Sequence, residues 1–125
     1  MTKIRTLIVD DEPGFTKIVK LALEARQTYE VCEVNNPVEA LQVAREFSPD
    51  VILLDIVMPE LDGGDVLAQF KADPVLKDIP VIFVTATVRK REVNKHAGVI
   101  GGAFFIAKPV SAEGLIQCIE EHVRD

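Results

Sequence analysis

The sequence predicts an open α/β sandwich, a parallel sheet with helices on both faces. Three observations carry that expectation. Short apolar runs recur at residues 4–9, 31–34, 51–54, 81–84 and 103–107, β-branched or aromatic-rich and too brief for helices. Stretches with helical spacing of apolar residues lie between them, so strand and helix alternate five times. The runs carry apolar residues on both faces, which fits strands buried from both sides by crossover helices. At 125 residues the chain matches one domain, 1–125, without internal repeat or linker.

The first strand, "IRTLIV", leads into a helix marked by Phe15, Ile18, Val19 and Ala22. After the second strand, Asn36 is a candidate N-cap, Pro37 suits a first helical turn, and Glu39 can reach back to the cap. The helix that follows carries Leu41, Ala44 and Phe47, and "SPD" at 48–50 turns the chain into the third strand. Val66, Leu67 and Phe70 mark a third helix, closed by "DP" at 73–74, and "IP" at 79–80 opens the fourth strand. A fourth helix between Thr85 and the fifth strand is the least defined, because glycines at 98, 101 and 102 suggest an early end and a flexible approach to that strand. Ser111 caps a last helix carrying Leu115, Ile116, Ile119 and Val123, although Gly114 weakens its first turn.

A formal net charge of −6 opposes the basic surface that phosphate contacts need, so direct nucleic-acid binding is not expected. With 48% hydrophobic and 27% charged residues, the chain reads as a globular protein and not a disordered one. Cys32 and Cys118 lie far apart with no CxxC spacing, and no apolar signal core or membrane span is visible. A cytoplasmic protein with reduced thiols is expected.

In a parallel sheet of this kind, polar residues at the carboxyl ends of the strands gather in a crevice where ligands bind. Those positions hold Asp10 and Asp11, then Asp55, Thr85 and Lys108. Three carboxylates brought together without a cation repel one another, and a hard divalent ion removes the conflict; Mg²⁺ suits a few carboxylates, a carbonyl and waters. Asp55, at the end of a rigid apolar strand, could then act as an oxygen nucleophile toward phosphorus, with Lys108 and the Thr85 hydroxyl neutralising the transferred group.

The chain resembles the receiver domain of two-component response regulators, such as the chemotaxis response regulator. The resemblance rests on "LIVDDEP" (7–13), "DVILLDIVMPELDG" (50–63), "PVIFVTA" (80–86) and "GGAFFIAKP" (101–109), with Asp11 to Asp55 spanning 44 residues, Asp55 to Thr85 30 and Thr85 to Lys108 23. It implies a flavodoxin-like, doubly wound fold with five parallel strands in the order 2-1-3-4-5. It implies that Asp55 accepts a phosphoryl group from a phosphohistidine on a histidine kinase or histidine phosphotransfer protein. Mg²⁺ would be held by Asp10, Asp11, Asp55 and the Val57 backbone carbonyl. Lys108 would bind the phosphoryl group, Thr85 and Phe105 would form the switch, and Lys108–Pro109 would be a cis peptide. Val57 and Thr87 would govern water access; Val57 is apolar and cannot orient a water, so slow to moderate self-dephosphorylation is expected.

Two features depart from the pattern: the aromatic pair Phe104–Phe105, and the segment "TVRKREVNKHAGVIGG", which matches poorly. Its cations Arg89, Lys90, Arg91 and Lys95 suit a solvated helix face, or an output face toward an acidic partner or a second subunit in a phosphorylation-dependent homodimer. The output would be a downstream effector or a covalent domain absent from this chain. Bland alternatives stand beside these roles. Adjacent carboxylates also cap helices, strand-end threonines bond backbone, and Phe105 could be plain core. Two rival functions remain: a small Mg²⁺-dependent phosphatase, disfavoured because Val57 stands where its acid would be, and a pseudo-receiver that acts as a phosphorylation-independent interaction module.

Overall fold

The computed structural model describes residues 3–56, 58, 61–85, 99–100, 103–108 and 111–123. Its strands are β1 (Ile4–Val9), β2 (Tyr29–Val34), β3 (Val51–Leu54), β4 (Val81–Thr85), β5 (Val99–Ile100) and β6 (Ala103–Ala107). Its α-helices are α1 (Pro13–Glu24), α2 (Ala40–Phe47), α3 (Gly63–Ala72) and a C-terminal helix (Ala112–Val123). The sheet order is β2-β1-β3-β4-β6-β5, and every pairing is parallel except β5 with β6.

This corrects the expected five-stranded, all-parallel sheet. The described residues form six strands, and the additional one is a two-residue antiparallel edge, Val99 opposite Phe104 and Ile100 opposite Ala103. The approach to β6 thus contains a strand, Val99–Ile100, that the sequence did not predict. Two residues carry no periodicity, and only the pairing with β6 creates the element.

The sheet sorts its side chains by the two-residue period of a strand. Leu7 and Val9 of β1, Ile52 and Leu54 of β3 and Phe83 of β4 pack with Val66 and Phe70 of α3 and Ala40 and Ala44 of α2. Ile8, Leu53, Ile82 and Val84 face the opposite way, onto Val19 and Leu23 of α1 and Leu115 and Ile119 of the C-terminal helix. Apolar layers thus cover both faces of the sheet, which is why β3 is apolar at every position and wholly buried. Edge strand β2 instead alternates, with Tyr29 and Val31 buried and Glu30 exposed.

The capping expectations hold in modified form. Asn36 accepts a hydrogen bond from the Val38 backbone N–H at 3.1 Å, but the turn it caps is a 3₁₀ segment, Pro37–Glu39, that feeds into α2. Ser48 ends α2 in the left-handed region, φ 55°, with its N–H donating to the Ala44 carbonyl at 2.9 Å. Ser111 caps the C-terminal helix as expected, its hydroxyl accepting from the Gly114 N–H at 3.0 Å.

Candidate functional site

Asp10 follows β1 directly and is 1% exposed. Its N–H donates to the Val34 carbonyl at 3.0 Å, continuing the β1–β2 pairing by one residue. Its carboxylate accepts from the Glu12 N–H at 3.0 Å and from the Lys108 ammonium at 2.8 Å. Asp55 follows β3 and is 7% exposed. Its N–H donates to the Val9 carbonyl at 3.0 Å, and its carboxylate accepts from the Ile56 N–H at 2.9 Å. The backbone thus fixes both acids at the same end of neighbouring strands.

Asp10, Asp11 and Asp55 can each offer an oxygen such that all three lie within 4.8 Å of one another. Three acidic side chains, two of them buried, form a donor set of hard oxygens. That chemistry fits Mg²⁺, because a buried carboxylate cluster gains most from a compact dication.

Lys108 stands at the end of β6, beside β4, whose last residue Thr85 lies opposite Ala107. Its Nζ also lies 3.3 Å from Glu12 Oε1 and 4.1 Å from the centroid of the Phe15 ring. Burial pulls the ammonium pKa down, but the hydrogen bond and charge of Asp10, with the charge of Asp55 and the hydrogen bond of Glu12, outweigh it and hold the pKa above its ordinary 10.5. The lysine is therefore a fixed positive charge against the acid cluster.

The sequence pattern of the response regulator receiver domain matches residues 6–120. The chain belongs to that family. Among relatives, the polar-differentiation response regulator DivK of Brucella anthropi is 38% identical over 120 residues, covering 95% of each chain. DivK of Brucella ovis is 37% identical over 126 residues, covering 100% of this chain and 99% of the relative. A putative response regulator from Chloroflexus aurantiacus superposes with a TM-score of 0.86 at 27% identity, covering 99% of this chain and 100% of the other. The receiver domain of a signal transduction histidine kinase from Syntrophus aciditrophicus gives 0.77 at 31%, covering 95% and 89%. The fold is therefore the flavodoxin-like receiver fold, and the chain is a receiver of two-component signalling, a family of signalling switches. Among its described residues, no helix is long and apolar enough to cross a membrane.

This receiver brings Asp10, Asp11, Asp55 and Lys108 together, and it places Thr85 at the adjoining strand end. Phe105 pairs in register with Phe83, and Phe104 with Ile82; the side chains of Thr85, Phe104 and Phe105 lie outside the described set. Val57, Thr87, Arg89, Lys90, Arg91, Lys95 and Pro109 also lie outside the described residues.

Three receiver residues escaped the sequence reading. Glu12 and Phe15 flank Lys108, a contact between residues 96 positions apart in the first case. Gly63 begins α3 directly against the Asp55 backbone. Its N–H donates to the Ile56 carbonyl at 2.6 Å, and a Cβ there would lie 2.4 Å from the Asp55 carbonyl oxygen. The "DG" pair ahead of an apolar stripe was the available signal, though it reports a turn and not a close approach.

Proposed function

We propose that this receiver accepts a phosphoryl group on Asp55 from a phosphohistidine of a histidine kinase or histidine phosphotransfer protein, and passes the signal to a downstream effector. The observation that carries the reading is the convergence of Asp10, Asp11 and Asp55 within 4.8 Å, with Lys108 Nζ at 2.8 Å from Asp10. Asp10, Asp11 and Asp55 would hold Mg²⁺, which when bound neutralises the acids and draws charge from the phosphoryl oxygens.

The remaining work falls to the chain. A carboxylate oxygen of Asp55 attacks phosphorus as the P–N bond to the donor imidazole breaks, and the electron pair of that bond leaves with the imidazole. The hydrogen bonds on the Asp55 peptide hold that carboxylate in place, so little reorganisation is needed. Lys108, charged and already beside the cluster, exchanges its contact with Asp10 for a phosphoryl oxygen. Thr85, at the end of β4, would bring its hydroxyl to the same group.

The modification adds about −1.5 to −2 charge, and any switch must arise from contacts that differ between the two states. Thr85 and Phe105 are assigned that difference. The strand pairing of β4 with β6 joins the two positions, since Phe105 is two residues from Ala107, the partner of Thr85.

Intact mass after incubation with acetyl phosphate tests this reading. One added phosphoryl group that requires both Mg²⁺ and Asp55, absent in Asp55→Asn and after chelation, is the expected result. No gain, and no binding of a beryllofluoride mimic, would favour a phosphorylation-independent interaction module.

A further inference from the structure

We propose that Asn35, Thr16 and Glu33 form a hydrogen-bond relay that positions the Asp10–Asp11 peptide, setting the acidic site from behind. The inference rests on reading that site as a cation site.

Donor accounting gives the relay one direction. The Asn35 amide donates one N–H to the Asp10 carbonyl at 2.8 Å and the other to Thr16 Oγ1 at 3.0 Å. The reverse orientation of the amide would set its oxygen against the Asp10 carbonyl, two acceptors facing each other. Thr16 has one hydroxyl proton and two acceptors in reach, Glu33 Oε1 at 2.8 Å and the Pro13 carbonyl at 3.2 Å. The charged and nearer acceptor takes it. Carboxylate, hydroxyl and amide are thus linked in series, each polarising the next.

The anchor is stiff where it matters. Thr16 is fully buried, 0% exposed, on the inner face of α1. Its partners come from the end of β2: Glu33, then Asn35, with the Val34 carbonyl between them accepting from the Asp10 N–H at 3.0 Å. The end of β2 therefore holds Asp10 by both of its peptides. The carbonyl that Asn35 grips belongs to the peptide bearing the Asp11 nitrogen, so rotation of that peptide would turn Asp11 away from Asp10 and Asp55. Neither Asn35 nor Thr16 needs to touch the ion; both are positioning residues.

The test uses the full chain and two readouts. Mg²⁺ affinity is measured by calorimetry, beside the melting temperature in EDTA. Asn35→Ala and Thr16→Val are expected to weaken Mg²⁺ binding about tenfold, in the range seen when partners of metal ligands are removed. Thr16→Ser and Glu33→Gln keep a donor and an acceptor in place and are expected to bind as the wild type does. The Asp11 amide resonance, recorded in EDTA, should move in Asn35→Ala and Thr16→Val but not in Thr16→Ser. Wild-type affinity with an unmoved Asp11 resonance in Asn35→Ala overturns the relay, as does a Thr16→Ser protein no better than Thr16→Val. Failure of the wild type to bind Mg²⁺ would sink the cation-site reading instead, while the apo resonance still decides the relay. Asn35 lies at the surface, so its variant keeps the test open should Thr16→Val fail to fold.

Discussion

Adding a methyl group at Gly63 would place a carbon 2.4 Å from the Asp55 carbonyl oxygen and 2.7 Å from the Ile56 Cα. Both are backbone atoms, so relief requires moving the strand end that carries Asp55. Gly63→Ala should therefore destabilise by about 1–3 kcal/mol, the usual range for overpacking, and slow phosphorylation by acetyl phosphate as well. Gly14, in the first turn of α1, is the control, because nothing lies within 4 Å of a Cβ there. Gly14→Ala should be neutral or stabilising by up to about 1 kcal/mol, as helix propensity dictates. Chemical denaturation of both variants checks the pair, and equal losses would contradict the close-approach argument. At this scale the acids and the lysine were legible because strand ends bring charged residues to one crevice. The need for glycine at 63 was not, since it arises from a neighbouring loop's backbone, and the Thr16–Glu33 contact joins residues 17 apart on different elements.

Helix α3 is held at both ends by aspartates. Asp62 accepts from the Asp65 N–H at 2.9 Å at the N-terminus. Asp73 at the C-terminus accepts from the Val75 N–H at 2.8 Å and pairs with Arg45 of α2 at 2.6 Å from Nε. Asp62→Ala should cost about 1 kcal/mol, the typical value of an N-cap. Amide exchange should show the first turn of α3 opening before its last, and uniform loosening would argue against local capping. At the scale of elements, β1, β3 and β4 were legible because their consecutive apolar residues feed two separate cores. Strand β2 begins at Tyr29, two residues before the expected start, because its edge position admits the exposed Glu30. The 3₁₀ turn after Asn36 was hidden for another reason, since a cap and a proline open either kind of helix.

Across the whole molecule, two groups tie stability to pH in opposite directions. Burial raises the Asp73 carboxyl pKa, but hydrogen bonds from the Val75 and Leu76 N–H groups and Arg45 more than reverse this, leaving it below its ordinary 3.8. A lowered carboxyl pKa gives stability that is present above 3.8 and is lost as the pH falls through the folded value. The melting-temperature advantage of wild type over Asp73→Asn should therefore shrink on acidification. Tyr29 behaves the other way: burial first, then the charge and hydrogen bond of Glu120, push its phenol from 10.0 to about 12. Unfolded chains lose this proton near 10 and folded ones near 12, so the contribution is intact below pH 10 and is lost between the two values. Tyr29→Phe should flatten the alkaline fall in melting temperature, and an unchanged slope would contradict the assignment.

The same tyrosine has a practical consequence. The sequence holds one tyrosine and no tryptophan, and its hydroxyl reaches from the start of β2 to Glu120 on the C-terminal helix at 3.4 Å. Fluorescence of this chain excited beyond the phenylalanine band therefore comes from one phenol at one junction, with a carboxylate at hand to quench it. An optical change on phosphorylation or partner binding would be a label-free report that the C-terminal helix has shifted on the sheet, obtained from the natural chain without a dye.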